Sequence, residues 1–138
     1  MKKLGTHLIA EFYGCDARKI SKVSYVKEAM EEAALKANAT IVQSTFHQFN
    51  PYGVSGVVII AESHLSIHSW PEYGYASIDV YTCGDHVDPW ITLRHLEKSF
   101  GASDIEVMEL PRGRESKIKI KNIENYNEYS LNQKVLEG

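Results

Sequence analysis

The reactive side chains of this sequence are concentrated in one short segment and in a cysteine that follows it. The segment, residues 62–72, reads Glu-Ser-His-Leu-Ser-Ile-His-Ser-Trp-Pro-Glu, and the cysteine is Cys83. These residue types offer hydroxyl or thiol nucleophiles, imidazole bases and carboxylates. The residues alone therefore leave more than one kind of chemistry open.

The first interpretation is a non-enzymatic zinc-binding module. His64 and His68 are an even number of residues apart, so on a strand they would share a face. Cys83 and His86 have a spacing that zinc ligands use. Closed structural zinc sites usually have two pairs of ligands that are each close in sequence, and this segment offers no second pair.

The second interpretation is a hydrolase, with Ser63 or Cys83 as the nucleophile and His68 as the base. The sequence has no G-x-S-x-G motif, and no acidic residue is marked out to orient the histidine. This interpretation therefore has the nucleophile and the base but not the surrounding pattern.

The alternation of residue types across 75–83 predicts a strand with two different faces. The odd positions form a polar face and carry Tyr, Ser, Asp, Tyr and Cys, whereas Ala76, Ile78 and Val80 form an apolar face. Cys83 is thus predicted on the polar face, where a site could lie, although a cysteine is also common in protein cores.

Hydrophobic periodicity predicts two helices and six strands in the order β, α, β, β, β, β, α, β. The helices are predicted at 23–37 and 89–101, the second capped by Asp88 with Pro89 in its first turn. The strands are predicted at 4–13, 40–49, 54–61, 65–70, 75–83 and 105–110. This order predicts an α/β (α+β) layered sandwich, in which two main helices pack on a largely antiparallel sheet.

Length and charge restrict the classes of function. The chain has 138 residues and is long enough for a single domain, 1–138, with a polar tail at about 115–138 that we expect to be weakly ordered. A net charge of −3 gives no basic excess for binding nucleic acid. No apolar stretch is long enough to span a membrane, and no export signal is evident. We therefore expect a cytoplasmic protein whose two cysteines are free thiols.

Several stretches of the sequence match one known family in step. These are Phe46–Phe49, Pro51–Val58, Ala61–Ala76, Thr82–Asp85 and Val87–Trp90, with further likeness from Leu4 to Tyr13 and at Arg112–Arg114. They closely resemble the prokaryotic S-adenosylmethionine decarboxylases, and mainly the tail from about Glu115 is unmatched. A match that keeps glycines, prolines and reactive residues in register is far more specific than a single short motif.

The resemblance implies that the chain is a proenzyme that cuts its own Glu62–Ser63 bond. The products would be a β chain, 1–62, and an α chain, 63–138, whose first residue becomes a pyruvoyl group made from Ser63. The resemblance assigns assistance in this processing to Ser55 and His68. The pyruvoyl carbonyl would then form a Schiff base with the substrate amine and accept electrons as carbon dioxide leaves, with Cys83 as proton donor and no metal.

The resemblance also implies a substrate and an assembly. Phe49 and His68 would enclose the adenine of S-adenosylmethionine, and Glu72 would accept hydrogen bonds from the ribose hydroxyls. The product is the aminopropyl donor for spermidine synthesis, and family members act as homodimers with sites at or near the interface. The alternative on the same scaffold is a decarboxylase of arginine or ornithine, which the self-processing motif does not distinguish.

Overall fold

A computed structural model describes residues 2–120 and contains six strands and three helices in this range. The elements in chain order are β1 (Lys3–Tyr13), α1 (Ala17–Ile20), α2 (Val23–Lys36), β2 (Ile41–Gln48), β3 (Val54–Ile60), β4 (Ser63–Trp70), β5 (Tyr75–Cys83), α3 (Pro89–Phe100) and β6 (Asp104–Arg114). A single 3₁₀ turn, Pro71–Tyr73, joins β4 to β5. None of the helices in this range is long and apolar enough to cross a membrane.

The six strands form one sheet in the order β2-β3-β4-β5-β1-β6, and every neighbouring pair is antiparallel. The helices α2 and α3 pack against each other and against strands of the sheet. This arrangement confirms the predicted fold class of helices layered on an antiparallel sheet.

The core lies between one face of the sheet and the two long helices. Met30 and Ala33 of α2, with Leu93 and Phe100 of α3, are almost fully buried against strand residues such as Leu65. The even positions of β5 are all buried, and the odd positions, including Cys83, are all partly exposed. The predicted two-faced strand is therefore confirmed, and Cys83 lies on the sheet face opposite the helices, called here the open face.

Local sequence signals explain how the helix α3 begins and ends. The Asp88 side chain accepts a hydrogen bond from the Trp90 N–H at 3.0 Å, and Pro89 occupies the first turn of α3. Gly101 ends the helix at φ 65°, a left-handed conformation that favours glycine. The predicted start of α3 at Pro89, with Asp88 as its cap, is confirmed.

Two predicted strand boundaries were wrong by two residues or more, and one helix was not predicted. The strand predicted at 65–70 begins at Ser63, and the strand predicted at 105–110 runs on to Arg114, past Pro111. The short helix α1 was not predicted, because it has only four residues. Of the predicted polar tail, residues 115–120 contain no helix or strand, and residues 121–138 lie outside the described residues.

Candidate functional site

The first group of predicted site residues meets where β3 turns into β4. The Cys83 N–H donates to the Glu62 carbonyl oxygen at 2.8 Å, so one backbone donor lies on the carbonyl of the Glu62–Ser63 bond. The Ser63 hydroxyl donates to the Cys83 sulfur at 3.8 Å. The structure thus brings together the hydroxyl, the carbonyl and the thiol that the sequence singled out.

Ser63 has a backbone conformation that is unusual for a residue with a side chain. Its φ is 141°, a region essentially reserved for glycine, and such a conformation costs roughly 1–3 kcal/mol. On a regular strand Ser63 would share the helix-covered face with Leu65 and Ile67, which are both buried. Instead its hydroxyl contacts Cys83, whose side chain belongs to the open face.

The Glu62 side chain is buried and fully engaged. One carboxylate oxygen accepts from the Thr40 N–H at 3.1 Å, and the other accepts from the His86 Nε2–H at 2.9 Å. The hydrogen bond from His86, followed by that from Thr40, holds the pKa of Glu62 below its usual value. This contact was not predicted from the sequence. In the structure the antiparallel pairing of β4 with β5 places residue 62 near the loop after Cys83, and the alternation of residue types does not reveal that proximity.

The second group lines a cavity of about 280 Å³ at the other end of β4. Phe49, Ser55, His68 and Glu72 all line this cavity. Ser55 and His68 are directly paired across β3 and β4, and the Ser55 oxygen lies 2.7 Å from His68 Nδ1. Four residues predicted from the sequence are therefore collected in one place.

The turn between β2 and β3 positions Phe49. The Phe49 N–H donates to the Gly53 carbonyl at 2.8 Å, and the His47 ring meets the Phe49 ring edge-on with centroids 4.5 Å apart. The Gln48 side chain donates to the carbonyls of Ser21 and Gly53 and ties this turn to the segment before α2. The Phe49 ring is 47% exposed, so a flat ligand can reach it.

The two groups do not meet within one chain. Ser63 and His68 are five residues apart on β4, which corresponds to about 16 Å at the usual rise of a strand. A hydrolase built from Ser63 and His68 of the same chain is therefore excluded by distance.

The zinc interpretation needs His64 and His68 to lie close together. At the usual rise of a strand they are about 13 Å apart. Within residues 2–120 no three His, Cys, Asp or Glu side chains are grouped to hold a metal ion. The geometry therefore gives the zinc interpretation no support.

The open face also carries a polar network that the sequence analysis did not predict. His7 Nε2–H donates to Asp79 at 3.0 Å, and Arg112 donates to His7 Nδ1 at 2.8 Å. The Arg112 guanidinium lies over the Tyr81 ring, 4.9 Å from its centroid. Both His7 nitrogens are engaged, which holds the ring in one orientation.

An aromatic stack leads from the cavity towards β1. Trp70 stacks on Tyr75 with ring centroids 5.2 Å apart, and the Tyr75 hydroxyl donates to Glu11 at 2.6 Å. Burial, together with this hydrogen bond, raises the pKa of Tyr75 to about 12. The stack extends the wall of the cavity onto the open face.

Comparison with known proteins gives a consistent result. The family model described as S-adenosylmethionine decarboxylase matches residues 6–113. The S-adenosylmethionine decarboxylase proenzyme of Thermotoga maritima is 56% identical over 120 residues, which are 87% of this chain and 92% of that protein. The proenzyme of Acidithiobacillus ferrooxidans is 56% identical over 113 residues, covering 82% of this chain and 85% of that protein.

A solved structure agrees with the fold as well. The crystal structure of the adenosylmethionine decarboxylase from Aquifex aeolicus is similar with a TM-score of 0.80 and 39% identity. The match covers 88% of this chain and all of that chain. The similarity therefore extends over nearly the whole described fold and includes both groups of site residues.

Proposed function

The chain belongs to the S-adenosylmethionine decarboxylase family, and on this premise we propose that it cuts its own Glu62–Ser63 bond and then decarboxylates S-adenosylmethionine with a pyruvoyl group made from Ser63. The observation that carries the proposal is the hydrogen bond from the Cys83 N–H to the Glu62 carbonyl oxygen at 2.8 Å. A backbone donor in this position stabilises the negative charge that develops on the oxygen when the carbonyl is attacked.

Self-cleavage begins with attack of the Ser63 hydroxyl on the Glu62 carbonyl carbon. The carbon–nitrogen bond breaks, so Glu62 becomes an ester on the Ser63 oxygen and the nitrogen of Ser63 becomes an amine. Loss of the Ser63 α-proton then expels the Glu62 carboxylate and leaves dehydroalanine. Addition of water and departure of ammonia give the pyruvoyl group at the start of the 63–138 chain. The strained φ of Ser63 favours this sequence, because breaking the peptide bond releases the strain.

The residues present fit a pyruvoyl group at position 63. Its carbonyl supplies an electron sink for decarboxylation, as pyridoxal phosphate does in other amino acid decarboxylases. Cys83 holds a proton at its thiol beside position 63, and its N–H remains available to an oxygen there. These contacts support Cys83 as the group that returns a proton to the substrate after carbon dioxide has left.

The cavity lined by Phe49 and His68 suits the nucleoside part of S-adenosylmethionine. Two flat side chains can enclose an adenine ring, and a π face also attracts the positive sulfonium. The Glu72 carboxylate at the same cavity can accept from both hydroxyls of a ribose. Arginine and ornithine have no adenine, sulfonium or ribose, so the cavity favours S-adenosylmethionine over both of them. The product would serve as the aminopropyl donor for spermidine synthesis.

We also propose that the active protein is a homodimer in which two chains complete each site. The support is the distance of about 16 Å between Ser63 and His68 of one chain. Two copies packed through their open faces in opposite directions can bring Ser63 of one chain to His68 of the other. The open face carries exposed apolar residues suited to such packing, namely Ile9, Ile59 and Met108.

A cytoplasmic location is part of the same proposal. Both cysteines lie in the described part of the chain and are free thiols. Free thiols persist in a reducing compartment, and S-adenosylmethionine is a charged metabolite that the enzyme would meet there.

The first test is the intact mass of the freshly purified protein under denaturing conditions. We expect two chains, 1–62 and 63–138, the second lighter by one ammonia than simple hydrolysis gives. Release of labelled carbon dioxide is then compared for S-adenosylmethionine, arginine and ornithine. A single chain that stays uncut on long incubation would contradict self-cleavage, and release from only a basic amino acid would contradict the substrate.

The shared site is tested by mixing variants in one cell. A tagged His68→Ala chain keeps its own Ser63, and a Ser63→Ala chain supplies an intact His68. We expect the tagged chain to be cut when the two are expressed together and to stay uncut alone. If the mixture leaves it uncut while wild type is cut normally, His68 does not act across the interface.

A further inference from the structure

Three separate contacts hold Glu62, the residue whose carbonyl is attacked. The carbonyl oxygen accepts from the Cys83 N–H, and the two carboxylate oxygens accept from the Thr40 N–H and the His86 ring. Cys83 is the last residue of β5, and His86 lies in the loop that follows it. The end of β5 and its loop therefore bind both the backbone and the side chain of Glu62.

Packing alone does not explain a carboxylate at position 62. Glu62 is only 8% exposed, and burying a carboxylate costs free energy unless it is paired and hydrogen-bonded. An apolar residue would avoid this cost but would leave the Thr40 N–H without its acceptor. The contact instead immobilises the residue on one side of the scissile bond, and the strained Ser63 lies on the other side. A strained backbone persists only when its surroundings fix it from several directions.

We propose that His86 is a positioning residue for self-cleavage: by binding the Glu62 carboxylate it keeps the scissile carbonyl on the Cys83 N–H. This inference rests on the proposed cleavage at Glu62–Ser63. His86 touches neither the hydroxyl nor the carbonyl that react, so it acts through Glu62. Small displacements matter here, since moving a reacting group by about 1 Å can cost a hundredfold in rate.

The charged groups around the contact between His86 and Glu62 leave Glu62 as the direct partner of His86. Within residues 2–120 the Glu62 carboxylate is the acidic group that lies within 4 Å of the His86 ring, and the side chain of His86 is 56% exposed. Asp85 and Asp88 flank His86 in its own loop, and neither forms an ion pair with it. Lys3 of β1 and Lys2 just before it line a neighbouring cavity with Asp85. A protonated His86 therefore has Glu62 as its direct partner, and its hold is stronger than that of the neutral ring.

The experiment measures the rate at which newly synthesised chains cleave the Glu62–Ser63 bond. Wild type, His86→Ala and His86→Gln are synthesised in a cell-free system, synthesis is stopped, and the appearance of the 1–62 chain is timed on a denaturing gel. The glutamine places a neutral N–H near the position of Nε2. The matched control is His95→Gln, because His95 lies 3.6 Å from Glu32 between α2 and α3, away from the scissile bond.

We expect His86→Ala to slow the cut by roughly ten- to a hundredfold. His86→Gln should restore most of the rate at about pH 8, where free imidazole is neutral. At about pH 5 the wild-type rate should exceed the His86→Gln rate by roughly three- to tenfold, because a charged donor holds a carboxylate more strongly than a neutral one. The ratio of the two rates cancels the pH dependence of groups that the substitution does not alter, and the effect of His86 on Glu62 stays in the ratio.

Several results would overturn the inference. A wild-type rate in His86→Ala would show that the contact does not position the carbonyl. A ratio of wild type to His86→Gln that does not change with pH, or that His95→Gln reproduces, would show a structural role alone. The His86→Gln ratio decides the matter even if His86→Ala fails to fold. A wild-type chain that is never cut would instead overturn the proposed function together with this inference.

Discussion

The Ser69 hydroxyl joins three elements, and its removal should destabilise the fold strongly. It donates to the Ile20 carbonyl at the end of α1 at 2.7 Å and accepts from the Val54 N–H at the start of β3 at 2.9 Å. Ser69 itself lies on β4 and is only 8% exposed. Replacing Ser69 by alanine leaves the buried Ile20 carbonyl and the buried Val54 N–H without this partner. The space that the substitution opens is only that of one oxygen atom.

The cost follows from these two groups. A buried backbone group that loses its partner costs about 1–3 kcal/mol, so the loss at two such groups in Ser69→Ala should lower the free energy of unfolding by about 2–6 kcal/mol. That is a large part of the total of about 5–15 kcal/mol for a domain of this kind. With a urea slope of about 2 kcal/mol per molar, the urea midpoint should fall by roughly 1–3 M.

The assay is urea unfolding at one fixed protein concentration, with Ser63→Ala in the background so that the chain stays in one piece. The matched control is Ser66→Ala on the same strand. Its hydroxyl makes one half-buried hydrogen bond, to Asp79 at 3.0 Å, and should contribute only about 0.5–1 kcal/mol. If Ser69→Ala costs no more than Ser66→Ala, the reasoning from unsatisfied buried groups is refuted.

Two further predictions concern the site. Iodoacetamide at neutral pH should label Cys83 and spare Cys15, because Cys15 is buried and burial raises the pKa of its thiol to about 11. Intact mass and the Cys83→Ala variant check this, and rapid labelling of Cys15 would contradict it. Replacing Phe49 by alanine should raise KM for S-adenosylmethionine by roughly tenfold with a smaller change in kcat, because stacking on a base contributes about 1–3 kcal/mol. Steady-state rates per pyruvoyl-bearing chain measure this effect, and an unchanged KM would remove Phe49 from the substrate site.

The elements with strong local signals could be predicted from the sequence. The alternation over 75–83 gave the exact bounds of β5, since one face meets the core and the other does not. The end of β6 could not be predicted in this way, because a proline usually interrupts a strand and Pro111 lies within β6. In the structure β6 is an edge strand that pairs with β1 alone, and a proline is tolerated where its missing N–H would face away from the sheet.

The same contrast applies to the site. Phe49, Ser55, His68 and Glu72 were expected together from the family resemblance, and they line one cavity. The contact between Glu62 and His86 depends instead on how a loop closes between residues that are 24 apart in sequence. Periodicity describes which face a residue occupies, and it carries no information on such long-range pairing.

The position of Ser63 connects the fold to the chemistry. Strand alternation would direct its side chain towards the helices, yet a nucleophile there would be buried away from Cys83 and from any second chain. The φ of 141° departs from the strand at this one residue and accompanies the contact of its hydroxyl with the Cys83 thiol. The strain is sustained because Ser63 is paired with Ile60 of β3 and with Thr82 of β5, and because Glu62 is held at three atoms. A rigid sheet is therefore what allows one residue to stay strained, and cleavage at that residue is the reaction that relieves it.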